Sequence, residues 1–358
     1  MNHDVVADRY GRLYHLPCEV SARGHDCYCA CLSYQNAPFL IEEHQSPSPT
    51  GGTFRWYAWP AGLLGTRIPA FLHNVSKLTA SLQPDAIIGE SDALHVIFAR
   101  LLSQRTSIPY FIDLYDNFES FGLYRLPGIA HGYSASLHDA RGVSTVSKSL
   151  ERHIRATYPH KPTLALESTI TPDQFKPHPK AESRAFFNLP LDAILVGTAG
   201  SLSANRDTGT LYEAFKRLHA TMPQTRLVLA GPTHGNPPPQ HPGIIYLGEL
   251  PHQQVPKLFS ALDLAVICIN DDRFGRYAFP QKAYEILACG IPVIAAKVGA
   301  LEELFAENKM CLYEPGDVEN LKNKIVYHLT NDSIQHSLPI PSWADQAKKL
   351  ERFIVDQL

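Results

Sequence analysis

Residues 193–220 read AILVGTAGSLSANRDTGTLYEAFKRLHA. The run from Ala193 to Gly200 is apolar, short and closed by small residues, which is the pattern of a buried strand. From Asp207 the period changes, with Leu211, Phe215 and Leu218 falling three and four apart on one face of a helix. The same grammar then repeats. TRLVLAG (225–231) is a second strand, closed by the Gly/Pro-rich loop PTHGNPPPQHPG (232–243). IIYLGEL (244–250), a helix around VPKLFSAL (255–262), the strand DLAVICIN (263–270), a helix around QKAYEILACG (281–290) and the strand IPVIAAKVG (291–299) follow. ALEELFAEN (300–308) and VENLKNKIVYHL (318–329) add two helices. Strands alternating with helices require right-handed crossovers and a parallel sheet covered on both faces.

Towards the N-terminus the alternation is less regular. DVVAD (4–8) reads as a short first strand, followed by a helix RLYHLPCEVSARG (12–24) and the strand HDCYCACLSY (25–34). FLIEEHQSPSPTGG (39–52) is polar and turn-rich, which predicts a surface loop. PDAIIGES, IPYFIDLYD and RGVSTVS read as further strands with helices between them. The chain is therefore α/β, with one domain over 1–165, a Pro-rich and polar linker over 166–185, and a second domain over 186–340. Residues 341–358 form a last helix whose Trp343, Leu350 and Phe353 need an apolar surface, expected on the N-terminal domain.

Composition excludes several classes of function. At 358 residues the chain is long enough for two domains, and with 44% hydrophobic and 19% charged residues it can build cores. The net charge is −3, with the two signs balanced in each half, so nothing favours nucleic acid as a partner. No apolar run is long enough to span a bilayer, and MNHDVVADRYGR lacks the apolar stretch of a signal peptide. Seven cysteines without a CxxC pair fit a reducing cytoplasm. Cys27, Cys29 and Cys31 alternate on one face of a strand and read as small core residues, with metal ligation the alternative. The 17 histidines show no ligand spacing, so no metal site is expected.

In open parallel sheets, ligands bind beyond the C-terminal ends of the strands. Two loops there carry chemistry. GTAGSLSANRD (197–207) offers glycines for close backbone approach and Arg206 beside a helix start, which together suit a phosphate, although a plain turn with a solvated arginine has the same residues. In DDRFGRYAFPQKAYEILACG (271–290), Pro280 falls near a helix start and Glu285 within the helix. A carboxylate there can accept from a sugar diol, or simply pair with Lys282 three residues earlier.

GSLSANRDTGTLYEAF, LVLAG, ALDLAVICIN, FPQKAYEILACGIPVIAAKVGALEEL and LYEPGDVENL together resemble the C-terminal domain of the retaining glycosyltransferases of family four. ESTITPDQFKP is similar to that family's interdomain segment, RGVSTVSKSL to its last N-terminal strand and helix, and SWADQAKKL to its terminal helix. YGRLYHLPCEVSARGHD is similar to its first loop and helix. The resemblance implies the GT-B architecture, two Rossmann-like doubly wound domains facing each other across a cleft. It implies a nucleotide-diphosphate sugar as donor substrate, a glycan or lipid-linked acceptor, retention of anomeric configuration, and no cofactor or metal ion. Peripheral contact with the inner face of the cell membrane follows if the acceptor is lipid-linked, and surface polysaccharide synthesis is the process the family suggests.

By the same resemblance, Glu285 matches the second glutamate of the family's Glu–seven residues–Glu motif, which holds the donor ribose hydroxyls. Arg206 stands where the family has a lysine on the diphosphate. Gly11 is the surviving glycine of the loop that approaches the diphosphate, and Ala278, Phe279 and Pro280 match the segment whose backbone meets the transferred sugar. Lys282 shares the helix of Glu285. Three positions depart from the pattern. The motif's first glutamate is Tyr277, the usual arginine after the glycine is Ser201, and the family's histidine is Tyr115, which lies between Asp113 and Asp116. Arg273 or Arg276 is the expected replacement for the lost cation. Tyr115 and Asp116 are the candidate catalytic pair, and turn or helix capping is the plainer role for the two aspartates. These departures keep a non-catalytic GT-B binding module open as the alternative. A Rossmann oxidoreductase would need a GxGxxG signature, which neither half has.

Overall fold

The computed structural model describes residues 9, 11–33, 39–60, 67–171, 173–203, 206–331 and 338–358. The chain divides into two compact units, Met1–Thr169 with Pro341–Leu358, and Ile170–Ile340. No described helix is long and apolar enough to cross a membrane.

In the first unit, β1 (Cys27–Ser33), β2 (Leu40–His44) and β3 (Phe54–Pro60) form one sheet in the order β1-β3-β2. β1 runs parallel to β3 and β2 antiparallel to it. The register sets Cys27, Cys29 and Cys31 opposite Phe54, Trp56 and Ala58, and these cysteines pack with Cys18 against that buried cluster. Burial pushes the Cys18 thiol up to about 11 and the Cys27 thiol up to about 12, so both stay protonated core groups. β2 corrects the loop expected over 39–52. LIEEH pairs along its length with β3, and its exposed Leu40 and Ile41 make it an edge strand that composition alone reads as polar loop. β3 itself was not anticipated, and the expected strand at 4–8 lies outside the described residues.

The rest of the first unit is a four-stranded parallel sheet, β4 (Ile87–Gly89), β5 (Tyr110–Leu114), β6 (Gly142–Thr145) and β7 (Thr163–Ala165). The last helix, Trp343–Val355, starts with a capping box between Ser342 and Asp345. It docks on this unit. Leu350 and Ala347 join Leu16 and Leu166, and Trp343 stacks on His15 at 5.7 Å. The Phe353 ring lies so close to Gly142 that a Cβ there would come within 2.6 Å.

The second unit is one parallel sheet of β8 (Ile194–Ala199), β9 (Thr225–Ala230), β10 (Ile244–Tyr246), β11 (Leu264–Ile267), β12 (Val293–Ala296) and β13 (Leu312–Tyr313), ordered β10-β9-β8-β11-β12-β13. β11 and β12 are buried at every position because helices cover both faces. The helix Thr208–Thr221 turns Leu211, Phe215 and Leu218 inward, each fully buried. The expected linker over 166–185 is largely part of this unit. The helix Lys180–Phe186 packs on Val255–Ala261, and buried Arg184 bonds the carbonyls of Ala261, Leu191 and Ala193 and the Asp263 carboxylate. A guanidinium with four acceptors ties the segment down in a way that its Pro-rich composition does not reveal.

Candidate functional site

The strand order reverses its direction of winding between β8 and β11. On either side of such a point the loops leave in opposite directions, opening a crevice at the C-terminal ends of the strands. β8 turns there at Gly200, whose φ is 107°. A Cβ on Gly231 would lie 2.0 Å from the Gly200 carbonyl oxygen, so these two loops can meet only backbone to backbone.

Arg206 follows on the β8 side. Its guanidinium lies over the Phe274 ring, 4.6 Å from the centroid, a cation–π contact that joins the loop after β8 to the loop after β11. The next residue anchors it. Asp207 accepts from Thr210 Oγ1 at 2.6 Å, from Tyr313 Oη at 3.3 Å and from the Gly316 amide at 3.2 Å, tying this turn to β13.

Lys282 opens the helix Lys282–Ala288 on the β11 side. Its side chain is half-buried, and Nζ lies 3.1 Å from where a Cβ on Gly200 would stand. Burial and then the Arg206 guanidinium push its pKa down to about 8, against the opposite pull of Cys268 and Glu285. Among the described residues nothing hydrogen-bonds or ion-pairs with this ammonium. Two cations held together at a sheet switch point, one of them without a counter-ion among the described residues, create a local field that favours an anion.

Glu285 stands in the first turn of the same helix. Its Oε1 accepts from Gln281 Nε2 at 3.3 Å and lies 3.8 Å from His252 Nε2. The alternative pairing with Lys282 is not made among the described residues. The Asp272 carboxylate accepts from the amides of Phe274 and Gly275, and the Phe274 carbonyl from those of Tyr277 and Ala278. That turn delivers Ala278 and Phe279, both buried, and Pro280 to the start of the helix. Ser201 Oγ lies 2.8 Å from Ser203 Oγ. Arg276 is exposed and bonds Asp271 at 2.6 Å, and Arg273 is also exposed.

The first unit carries the remaining candidates. Gly11 caps the helix Arg12–Ala22 with φ 80°, and nothing lies within 4 Å of a Cβ built there. Beside it Arg12 is buried and grips Asp113 through two bonds, Nε–Oδ2 at 2.7 Å and Nη2–Oδ1 at 2.6 Å, and also bonds the Leu166 carbonyl. Ser144 Oγ donates to the same Asp113 oxygen as Nη2. Burial and the Asp113 carboxylate push the Glu90 carboxyl up to about 8, with Arg12 opposing. Tyr115 and Asp116 leave β5, the phenol ring edge-on to Phe118 and Asp116 Oδ1 accepting from the Asn117 amide at 2.8 Å. Among the described residues, no group of three or more His, Cys, Asp or Glu side chains is arranged to hold a metal ion.

Residues 193–331 match the sequence model of the glycosyl transferases group 1, and residues 12–165 match that of the glycosyl transferase 4-like domain. The chain belongs to the family-four, group 1 glycosyltransferases. Among curated relatives, the D-inositol 3-phosphate glycosyltransferase of Stackebrandtia nassauensis is 28% identical over 178 residues, 44% of this chain and 39% of that protein. The Mycobacterium leprae enzyme of the same name is 31% identical over 142 residues, 36% of this chain and 31% of that protein. The match thus spans well under half the length of these relatives. Among solved structures, sucrose-phosphate synthase from Thermosynechococcus elongatus has a TM-score of 0.70 at 21% identity, covering 96% of this chain and 88% of that one. Anabaena HepE in complex with UDP-glucose has a TM-score of 0.65 at 18% identity, covering 84% and 83%. The fold is GT-B.

Within this family framework, Gly200, Ser201, Arg206, Ala278, Phe279, Pro280, Lys282 and Glu285 come together at one end of the second sheet. In the first unit Gly11 sits at the start of the helix Arg12–Ala22, and Tyr115 and Asp116 at the exit of β5. Sequence reasoning overlooked Arg12, Glu90, Gln174 and His252. Asp113 inside the apolar run FIDL was the available signal for Arg12, since a charge in a buried strand needs a partner. That partnership, rather than capping, is the role of Asp113.

Proposed function

We propose that this protein transfers a glycosyl group from a nucleotide-diphosphate sugar to a hydroxyl of a glycan or lipid-linked acceptor, with retention of anomeric configuration. The observation that carries this reading is the Arg206–Lys282 pair at the β8/β11 switch point, a doubly cationic, partly desolvated site for a diphosphate. Neighbours of this fold bind UDP-glucose in HepE and UDP-2-fluoro glucose in trehalose-6-phosphate synthase, and the latter works with retention, which supports the same chemistry here.

Cleaving the bond between the anomeric carbon and the diphosphate oxygen builds negative charge on the leaving group. Arg206 and Lys282 meet that charge as it forms, at fixed positions that need no reorganisation. Glu285 accepts from the ribose hydroxyls, and the backbone of Ala278–Pro280 lies against the sugar. In a retaining transfer the acceptor hydroxyl attacks the face the diphosphate leaves. Its oxygen bonds the anomeric carbon, and its proton passes to the departing phosphate oxygen. We assign the charge stabilisation to the two side chains and not to a metal ion, in a protein acting in the cytoplasm or at the inner membrane face.

The test is binding and turnover with uridine, guanosine and adenosine diphosphate sugars for the wild type and Glu285→Ala. The expected result is nucleotide release that depends on an acceptor, with donor affinity about tenfold weaker in the variant, the size of a lost charged hydrogen bond. Absence of binding by all three donors, or an unchanged donor affinity in Glu285→Ala, refutes the reading.

A further inference from the structure

The carboxylate of Glu285 faces a side chain from outside its own helix. His252 precedes the helix Val255–Ala261 and brings Nε2 to 3.8 Å from Glu285 Oε1. Its other ring nitrogen, Nδ1, is 2.9 Å from Gln174 Nε2, and the Phe175 ring stands edge-on to the imidazole at 5.4 Å. Phe175 is itself buried. Gln174 and Phe175 belong to the segment by which the chain enters the second unit, so two adjacent residues of that entry strap fix the imidazole in plane and position.

The chemistry fixes the tautomer as well. A neutral imidazole has one donor and one acceptor nitrogen. A bare Nε2 lone pair facing a carboxylate would be repelled, whereas Nε2–H is attracted, so Nδ1 is the acceptor and takes the hydrogen bond from the Gln174 amide. Gln281 Nε2 reaches the same Oε1 at 3.3 Å. Both donors therefore address one oxygen of Glu285, and among the described residues Oε2 has no protein partner.

We infer that His252, oriented by Gln174 and Phe175, is a positioning residue that engages Oε1 of Glu285 and thereby leaves Oε2 directed at the 2′- and 3′-hydroxyls of the donor ribose. The inference rests on the reading of Glu285 as the ribose carboxylate. It gives the entry strap a function in nucleotide recognition, and it makes discrimination between ribonucleotides and deoxyribonucleotides a property of five residues, Gln174, Phe175, His252, Gln281 and Glu285.

The experiment compares dissociation constants of the full chain for a nucleoside diphosphate and its 2′-deoxy counterpart, using the tightest of the uridine, guanosine and adenosine forms. The ratio of the two constants reports the ribose contact alone, and general destabilisation does not move it. The wild type is expected to prefer the ribonucleotide about tenfold, and Glu285→Ala to lose the preference. His252→Ala and Gln174→Leu should reduce it to about twofold. His252→Gln, whose Nε2 can stand where the imidazole Nε2 stood, should restore most of it. If Glu285→Ala loses the preference and His252→Ala keeps it, the positioning role is overturned while the ribose reading stands. If Glu285→Ala keeps the preference, or no diphosphate binds, the ribose reading fails and the inference falls with it.

Discussion

Replacing Lys282 by methionine should make the unliganded protein more stable and its donor site weaker. The ammonium is half-buried beside Arg206, and its pKa falls from 10.5 to about 8. A drop of that size corresponds to roughly 3 kcal/mol of lost stability for a wholly dry site. Partial exposure screens the charge, and about 1–2 kcal/mol is the working figure. The sign follows from the lowered pKa of a base. Below pH about 8 the lysine is charged in both folded and unfolded chains, and the penalty is present in full. Between 8 and 10.5 the folded form is already neutral while the unfolded lysine is still losing its proton, so the penalty fades as pH rises. Methionine keeps the length of the side chain and removes the charge. Thermal unfolding at pH 7 without nucleotide should therefore shift upward by about 3–6 °C, and by nothing near pH 11. Loss of one charge-assisted contact costs about 1.5–3 kcal/mol, so affinity for a nucleoside diphosphate should fall roughly 10- to 100-fold, while affinity for the bare nucleoside stays the same. In the wild type, diphosphate binding near pH 8 should take up a proton, measurable by calorimetry in buffers of different ionisation enthalpy. A variant that melts earlier than wild type at pH 7 and binds the diphosphate equally well would refute the anion-site argument.

Two further tests concern the first unit. Asp113→Ala leaves the buried Arg12 guanidinium without its carboxylate and should cost about 3–5 kcal/mol in denaturant unfolding, whereas Arg12→Met with Asp113→Leu should recover much of it. Glu90 carries a raised pKa of about 8 against 4.5, so its cost to stability is absent below pH 4.5, grows as pH rises from there and is complete above 8. Glu90→Gln should accordingly be neutral at pH 4 and stabilise by about 1–3 kcal/mol at pH 7–8, read from urea midpoints at the two pH values.

The elements that sequence resolved are those in which burial imposes a clear period. β8, β9, β11 and β12 are apolar runs between turn residues, and the helix Thr208–Thr221 keeps Leu211, Phe215 and Leu218 on one face, so both were legible. β2 was not, because an edge strand with one face in solvent carries the polar residues of a loop and is defined by its pairing with β3. The strap around Gln174 and Phe175 read as linker for a similar reason. Its residues act through His252, 77 or more positions away, and composition does not report contacts at that distance.

The same division holds for the candidate site. The alternation of strands and helices followed from the sequence alone, since hydrophobic period is a property of neighbouring residues, whereas Glu285 and Arg206 were singled out by the family resemblance and local spacing alone left both open. Which basic side chain stands beside Gly200, next to Ser201, was decided by the fold. Arg276 precedes the expected sugar-contacting segment Ala278–Pro280 as closely as Lys282 follows it, yet Arg273 and Arg276 are both exposed and Arg276 is bound to Asp271. Lys282 reaches Gly200 because β8 and β11 are adjacent in the sheet though they are 64 residues apart in the chain, and the loops that leave them open onto the same crevice. Strand order is a long-range choice made by packing, and it alone sets two distant cations side by side.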